Sequence, residues 1–284
     1  MELLIEKIEK GFNEKKVLKG GSFTFEKGKI YGLLGRNGAG KTTLFNCISG
    51  EMEYDGGSVK LVDDGKEYPL EYEQIGYAFS TPILPEFLTG YEFIKFFIDI
   101  NKKRIDNLKT VEEYADMVCL ARDDLDRLIK GYSHGMKNKL QMLCMLISKP
   151  PVILLDEPLT SLDVVAAHEM KELLKSMKKD HIIIFSTHIL QLARDLCDDI
   201  VLLHKGILEG VDEVTYHSKD FEDKLIVMLS EDVGSDYEVA FDNADQYNDT
   251  VSGDSSEQYY NTVPNENISG ENEEETADID PYEF

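Results

Sequence analysis

At 284 residues and 42% hydrophobic content the chain has room for one or two domains with a real core, and its four scattered cysteines lack the spacing of a zinc site or a disulfide framework, so reduced thiols in or near the core are expected. No stretch approaches the roughly 18 to 20 uncharged apolar residues that cross a bilayer, and MELLIEKIEKG is too charged for a signal peptide, so the chain is expected to stay in the cytoplasm. The net charge of −25 is concentrated: from Ser230 onward there are 17 acids and no Lys or Arg, leaving 38 acids against 30 bases before it, and neither part is basic enough to make nucleic acid the main partner.

The elements alternate along the chain. GKIYGLLG is a short apolar run ending in glycine, a strand, and KTTLFNCISG continues as a helix stopped by Gly50. FLTGYEFIKFFIDI offers Thr89 and Glu92 as a capping box and spaces Phe93, Phe96, Phe97 and Ile100 as a packing stripe. TVEEYADMVCL repeats the box with Thr110 and Glu113, so a helical region is expected over about residues 85 to 148. Within it YSHGMKNKLQ is a Ser-His-Gly turn running into a helix. Strand signals return in PVILLDEP and HIIIFSTH, each followed by a helix. The sum is an α/β domain over residues 1 to 229, with a mixed β region, a helical insert and a closing α/β region. Residues 230 to 284 show no sustained apolar period and cannot bury enough surface to offset the entropy of ordering. They read as a disordered acidic tail, whether solvating or regulatory.

Three motifs carry chemistry. GRNGAGKTT comprises Gly35, Arg36, Asn37, Gly38, Ala39, Gly40, Lys41, Thr42 and Thr43, and it fits G-x-x-x-x-G-K-[ST] between a strand and a helix. Its glycines let backbone N–H groups turn inward to phosphate oxygens at the positive end of the following helix. Lys41 is expected to neutralise the β- and γ-phosphates of a bound nucleotide, and Thr42 to ligate Mg²⁺. PVILLDEP delivers Asp156 and Glu157 to the C-terminal end of a buried strand, where open α/β sheets place ligands. Asp156 is placed for the metal and Glu157 for the attacking water. IIIFSTH brings His188 to the same edge, within reach of the γ-phosphate.

GRNGAGKTT, YSHGM, LLDEP, SLD and STH, in that order, resemble the ATP-binding subunit of ABC transporters over roughly residues 3 to 215. The resemblance implies the ABC type of P-loop ATPase fold, with a central parallel sheet and a helical subdomain. The family signature L-S-G-G-Q stands here as Tyr132, Ser133, His134, Gly135 and Met136; serine and second glycine are kept, first glycine and glutamine are not. As a helix cap Ser133 opens an anion site, and in the family that site grips the γ-phosphate held by a second subunit, closing two chains head to tail over two ATP. The resemblance further implies that Phe12 stacks on adenine, that Gly135 joins Ser133, and that Asp163 lies in the loop linking the two sites. It puts Ser80 where the family has a glutamine joining Mg²⁺, water and the membrane partner. Ser80 is then either neutral, with solvent filling in, or a position that partner binding completes.

The implied partners are a separate membrane-spanning transporter subunit and a second ATPase subunit, a copy of this chain or a paralogue, with the protein peripheral on the cytoplasmic face of the membrane. A signature of this type without a fused membrane segment resembles the ATPases of two-component exporters. The alternative is a non-transport ABC ATPase in translation or DNA maintenance, a class usually marked by two cassettes or a long coiled coil; this sequence has one cassette and no heptad run. Because the acidic segment has no core-forming pattern, a chain truncated before Ser230 should keep its ATPase activity and its melting temperature; a loss of many degrees would show that the segment packs on the domain.

Overall fold

The computed structural model describes residues 1–105, 107–159 and 162–211 of the chain, so the acidic segment from Ser230 lies outside the described residues. In strand β1 (Glu2–Phe12) Leu3 and Ile5 are buried while Glu2 and Glu6 face solvent, the period-two alternation of a half-buried strand. The register then shifts between Ile5 and Ile8, with Lys7 at φ 47°, and the bulge returns Ile8 to the inner face. Strand β2 (Lys15–Glu26) forms a hairpin with β1. After β3 (Ile30–Leu34) and helix α1 (Lys41–Ser49), β4 (Gly56–Asp63) and β5 (Lys66–Pro69) complete an antiparallel sheet in the order β2-β1-β4-β5.

The second sheet reads very differently. Its strands are β3, β6 (Ile75–Ala78), β7 (Val152–Asp156), β8 (Ile182–Thr187), β9 (Asp199–His204) and β10 (Ile207–Val211), in the order β10-β9-β3-β8-β7-β6. All neighbours are parallel except β10, which runs back along β9 as an antiparallel edge. Every residue of β3, β7 and β8 is buried, because these strands are covered on both faces. Val152 and Leu154 face a core that also takes Leu44, Phe45 and Ile48 of α1 and the inner side of the antiparallel sheet. Ile153 and Leu155 face the opposite core, which also receives residues of two helices described next.

The chain between β6 and β7 supplies helices α2 (Gly90–Asn101), α3 (Val111–Met117) and α4 (His134–Ser148), packed around Phe93, Ile94, Tyr114, Leu125, Tyr132 and Leu143. Helices α5 (Val164–Met177) and α6 (Leu190–Leu196) follow β7 and β8. Met142 and Met145 of α4 leave the insert's own core and join Met170 and Leu174 of α5 on the sheet, so α4 belongs to both cores. Among the described residues no helix is long and apolar enough to cross a membrane.

Both expected capping boxes are present: Thr89 accepts from Glu92 N–H at 3.2 Å and Thr110 from Glu113 N–H at 3.2 Å, and each glutamate reaches back to its cap. The expected stripe on α2 is corrected. Phe93 is buried and Phe97 half-buried, but Phe96 and Ile100 are 56% and 59% exposed, and Ile94 and Ile98 are buried in their place. The helix carries apolar residues over a wide arc, and packing turns it by about a quarter revolution from the stripe that spacing alone selects. The thiols are all free; Cys47, Cys144 and Cys197 are buried or half-buried, whereas Cys119 is exposed in the turn after α3, away from the position in or near the core that was expected of it. Replacing Thr89 with Ala should cost about 1 kcal/mol of stability, read from the denaturant midpoint, because the first turn of α2 loses its cap.

Candidate functional site

The loop Gly35–Gly40 leaves β3 and enters α1 at the C-terminal edge of the parallel sheet. Gly35 N–H donates to Thr187 C=O at 3.4 Å, tying the loop to the end of β8. Gly40 stands at φ 106°, and a Cβ there would lie 2.7 Å from Val17 Cγ1, so both conformation and space require glycine. Lys41 is 6% exposed and lies across its own loop, its Nζ donating to Gly35 C=O at 2.8 Å and Arg36 C=O at 3.1 Å. Burial pulls its pKa below the ordinary lysine value, against the opposing charges of Glu157 and Asp156. Beside the loop is a cleft of about 440 Å³ lined by Arg36, Asn37, Gly38 and Ala39 and, from the hairpin, Lys15 and Lys16. A basic cleft in an acidic protein is suited to an anionic ligand. Thr43 is half-buried in the first turn of α1.

At the end of β7 the two acids diverge, because Asp156 is the last residue of the strand and Glu157 leaves it in a left-handed conformation. Asp156 is 5% exposed, and its carboxylate accepts two hydroxyl hydrogen bonds, from Thr42 at 2.8 Å and from Ser186 at 2.5 Å. The Ser186 hydroxyl also accepts from Glu157 N–H at 3.0 Å. Glu157 sits at φ 49°, a left-handed conformation that a non-glycine residue adopts only when its surroundings impose it. Its Oε1 lies 3.7 Å from Lys41 Nζ and 3.1 Å from His188 Nδ1. The sequence-selected Lys41, Thr42, Asp156, Glu157 and His188 thus converge. One lysine, two carboxylates, a hydroxyl and an imidazole in mutual contact can bind a polyphosphate and handle the proton of an attacking water.

The remaining candidates sit on other elements of the fold. Ser133 caps α4, accepting from Met136 N–H at 3.2 Å, and Gly135 follows in the first turn, where an added Cβ would come 3.6 Å from Leu162. Asp163 caps α5 through Ala166 N–H at 2.9 Å, a structural task its motif did not announce. Phe12 ends β1, 43% exposed, with Lys10 Nζ 5.7 Å from the ring centroid. Ser80 is exposed, and among the described residues no hydrogen bond joins it to Thr42 or Asp156.

Residues 18–160 match the sequence family described as ABC transporter. The chain is 33% identical over 227 residues to the ABC transporter ATP-binding protein NatA of Bacillus subtilis, covering 77% of this chain and 92% of that one. It belongs to the ABC transporter ATP-binding family. The uncharacterized ABC transporter ATP-binding protein YdbJ of the same organism is 32% identical over 225 residues, covering 75% of this chain and 71% of the relative. A solved structure of the ATP-binding subunit of an ABC transporter superposes with a TM-score of 0.68 at 27% identity, over 81% of this chain and all of that chain. CbiO1 from Clostridium perfringens, described as part of the ABC transporter complex CbiONQ, shares the fold with a TM-score of 0.61 at 24% identity, over 80% of this chain and 95% of that one.

The protein is therefore an ATP-binding and ATP-hydrolysing subunit of the ABC transporter class, with the P-loop ABC fold expected from the sequence. Sequence reasoning missed Ser186. IIIFSTH directed attention to its terminal histidine, and a serine inside an apolar strand carries no signal until the neighbouring strand shows what its hydroxyl faces. Replacing Ser186 with Ala leaves Asp156 and Glu157 N–H each short of a buried partner, which should lower stability by about 1–3 kcal/mol and slow ATP hydrolysis. Thermal melts and steady-state assays check this; a variant matching the parent in both would refute the role.

Proposed function

We propose that this subunit energises a separate membrane-spanning transporter subunit from the cytoplasmic face of the membrane, by binding ATP with Mg²⁺ between two ATP-binding subunits paired head to tail and hydrolysing it. The observation that carries the reading is the convergence of Lys41, Thr42, Asp156, Glu157 and His188 through direct contacts at the end of the phosphate loop. Relatives that are ATP-binding proteins of ABC transporters support the transport assignment over one in translation or DNA maintenance.

The donor set fits Mg²⁺. The Thr42 hydroxyl and Asp156 carboxylate meet at 2.8 Å, a sparse pair suited to an ion that takes its other ligands from phosphates and water. Among the described residues no cluster of three His, Cys, Asp or Glu offers a rival all-protein site. When bound, the ion supplies positive charge to the β- and γ-phosphate oxygens. Lys41 gives up its contacts with the loop carbonyls and turns its ammonium to the same phosphates, and the backbone N–H groups of Gly38 and Gly40 complete the cradle. Glu157 accepts a proton from the water aligned on the γ-phosphorus. His188 orients that carboxylate through Nδ1, and only its imidazolium form can also donate from Nε2 to a phosphate oxygen. Ser133 and Gly135, at the start of a 15-residue helix, receive the γ-phosphate of the opposite subunit, and Asp163 lies in the loop between the two sites. Phe12 stacks on the adenine.

The membrane subunit docks beside Ser80. STPILPEF exposes Ile83 and Phe87 at 75% and 79%, and two prolines stiffen the segment, so an apolar surface is held ready at low entropic cost. Glu157→Gln should keep ATP binding while lowering turnover by roughly 10²- to 10⁴-fold, the usual effect of losing a general base. The same protein should dimerise on adding ATP, and Ser133→Arg in that background should block it in gel filtration. Unchanged turnover, or a dimer indifferent to ATP, would overturn the reading.

A further inference from the structure

Phe79 is the first residue beyond β6, the edge strand of the parallel sheet, so among the described residues no further strand is on hand for its backbone groups. One side chain takes both. Gln141 Oε1 accepts from Phe79 N–H at 3.2 Å, and Gln141 Nε2 donates to Phe79 C=O at 3.3 Å. Gln141 is 7% exposed in the middle of α4, and its Nε2 also donates to Oδ1 of Asn138 at 3.4 Å, a second buried polar residue of that helix. The amide therefore acts as a short length of extra strand, with donor and acceptor both used. Gly76 in β6 permits the close approach, since a Cβ there would lie 2.2 Å from Met145 Sδ on α4.

Phe79 is connected in both directions. Its ring centroid lies 4.2 Å from that of Tyr77, and the Tyr77 hydroxyl donates to Asn46 Oδ1 at 3.1 Å on α1, the helix that begins with Lys41. The next residue along the chain is Ser80. Helix α4 begins beside its cap Ser133, two turns before Gln141. One buried amide thus joins the helix of the second anion site to the peptide entering the Ser80 loop and, through Tyr77, to the helix of the phosphate loop.

We propose that Gln141 is a positioning residue for ATP hydrolysis, which holds the entrance of the Ser80 loop and the Ser133 end of α4 in register with the phosphate loop. The proposal rests on the site assignment made under the proposed function. ATP affinity depends on the loop around Lys41, which Gln141 does not touch. Turnover depends on the relative placement of the loop and the helix, which it sets.

Gln141→Met keeps length and apolar volume and removes the amide; Gln141→Glu keeps the acceptor and, when ionised, sets a carboxylate against the Phe79 carbonyl. Steady-state ATP hydrolysis by the full chain is measured beside thermal melts, at a temperature where each variant is folded. The methionine variant should lose about tenfold in kcat with KM for ATP changed less than about twofold. The glutamate variant, normalised to the parent at the same pH, should be poor near about pH 8 and recover severalfold near about pH 5.5, because the protonated acid again donates to Phe79 C=O and accepts from its N–H. A purely structural role would not improve with acid. A methionine variant with parental kcat, or a glutamate variant whose normalised rate is flat or falls on acidification, overturns the proposal. Glu157→Gln assayed alongside separates the two levels: full turnover there refutes the site assignment, whereas loss of turnover there with parental Gln141 variants refutes only the positioning role.

Discussion

A carboxylate buried at the end of a strand is tolerated only if its oxygens are occupied, and the site is organised around the way Asp156 meets that condition. Its two partners are hydroxyls from different elements, Thr42 at the start of α1 and Ser186 near the end of β8. The second partner also receives Glu157 N–H, so one serine fixes both the buried acid and the backbone of its neighbour. That holds Glu157 in a left-handed conformation, and its side chain turns back toward Lys41 and His188. The phosphate loop, the acid pair and the histidine are three strand ends locked into one constellation by hydrogen bonds across β3, β8 and β7.

The two cores provide the rigidity this arrangement needs. Alternate residues of β7 feed opposite faces of the parallel sheet, one toward α1 and the antiparallel sheet, the other toward α4 and α5. A strand buried on both sides has little freedom to slip, because a shift of one residue would exchange the two faces. Helix α4 serves two cores at once, and through it the insert communicates with the sheet. Where the signature departs from its family, the structure absorbs the change in the insert: Tyr132, in place of leucine, is buried and donates its hydroxyl to Asp124 C=O at 2.7 Å.

The sequence by itself determined the class and picked out most of the residues that the candidate site brings together. The ordered motifs identify the family, because each prescribes local chemistry that needs little context: glycines for a loop that must curl, apolar runs for strands buried on both faces, and caps such as Thr89 and Thr110 that act within one turn of their own helix. Lys41, Thr42, Asp156, Glu157 and His188 were legible because strand ends and helix starts announce themselves locally. Tertiary structure decided what depends on neighbours distant in sequence. The orientation of α2 was open because its apolar arc is wider than the face the core accepts, so Phe96 and Ile100 point outward. Ser186 and Gln141 were invisible because a hydroxyl or an amide inside an apolar pattern acquires a role only from what it faces, and those partners stand 30 and 62 residues away along the chain.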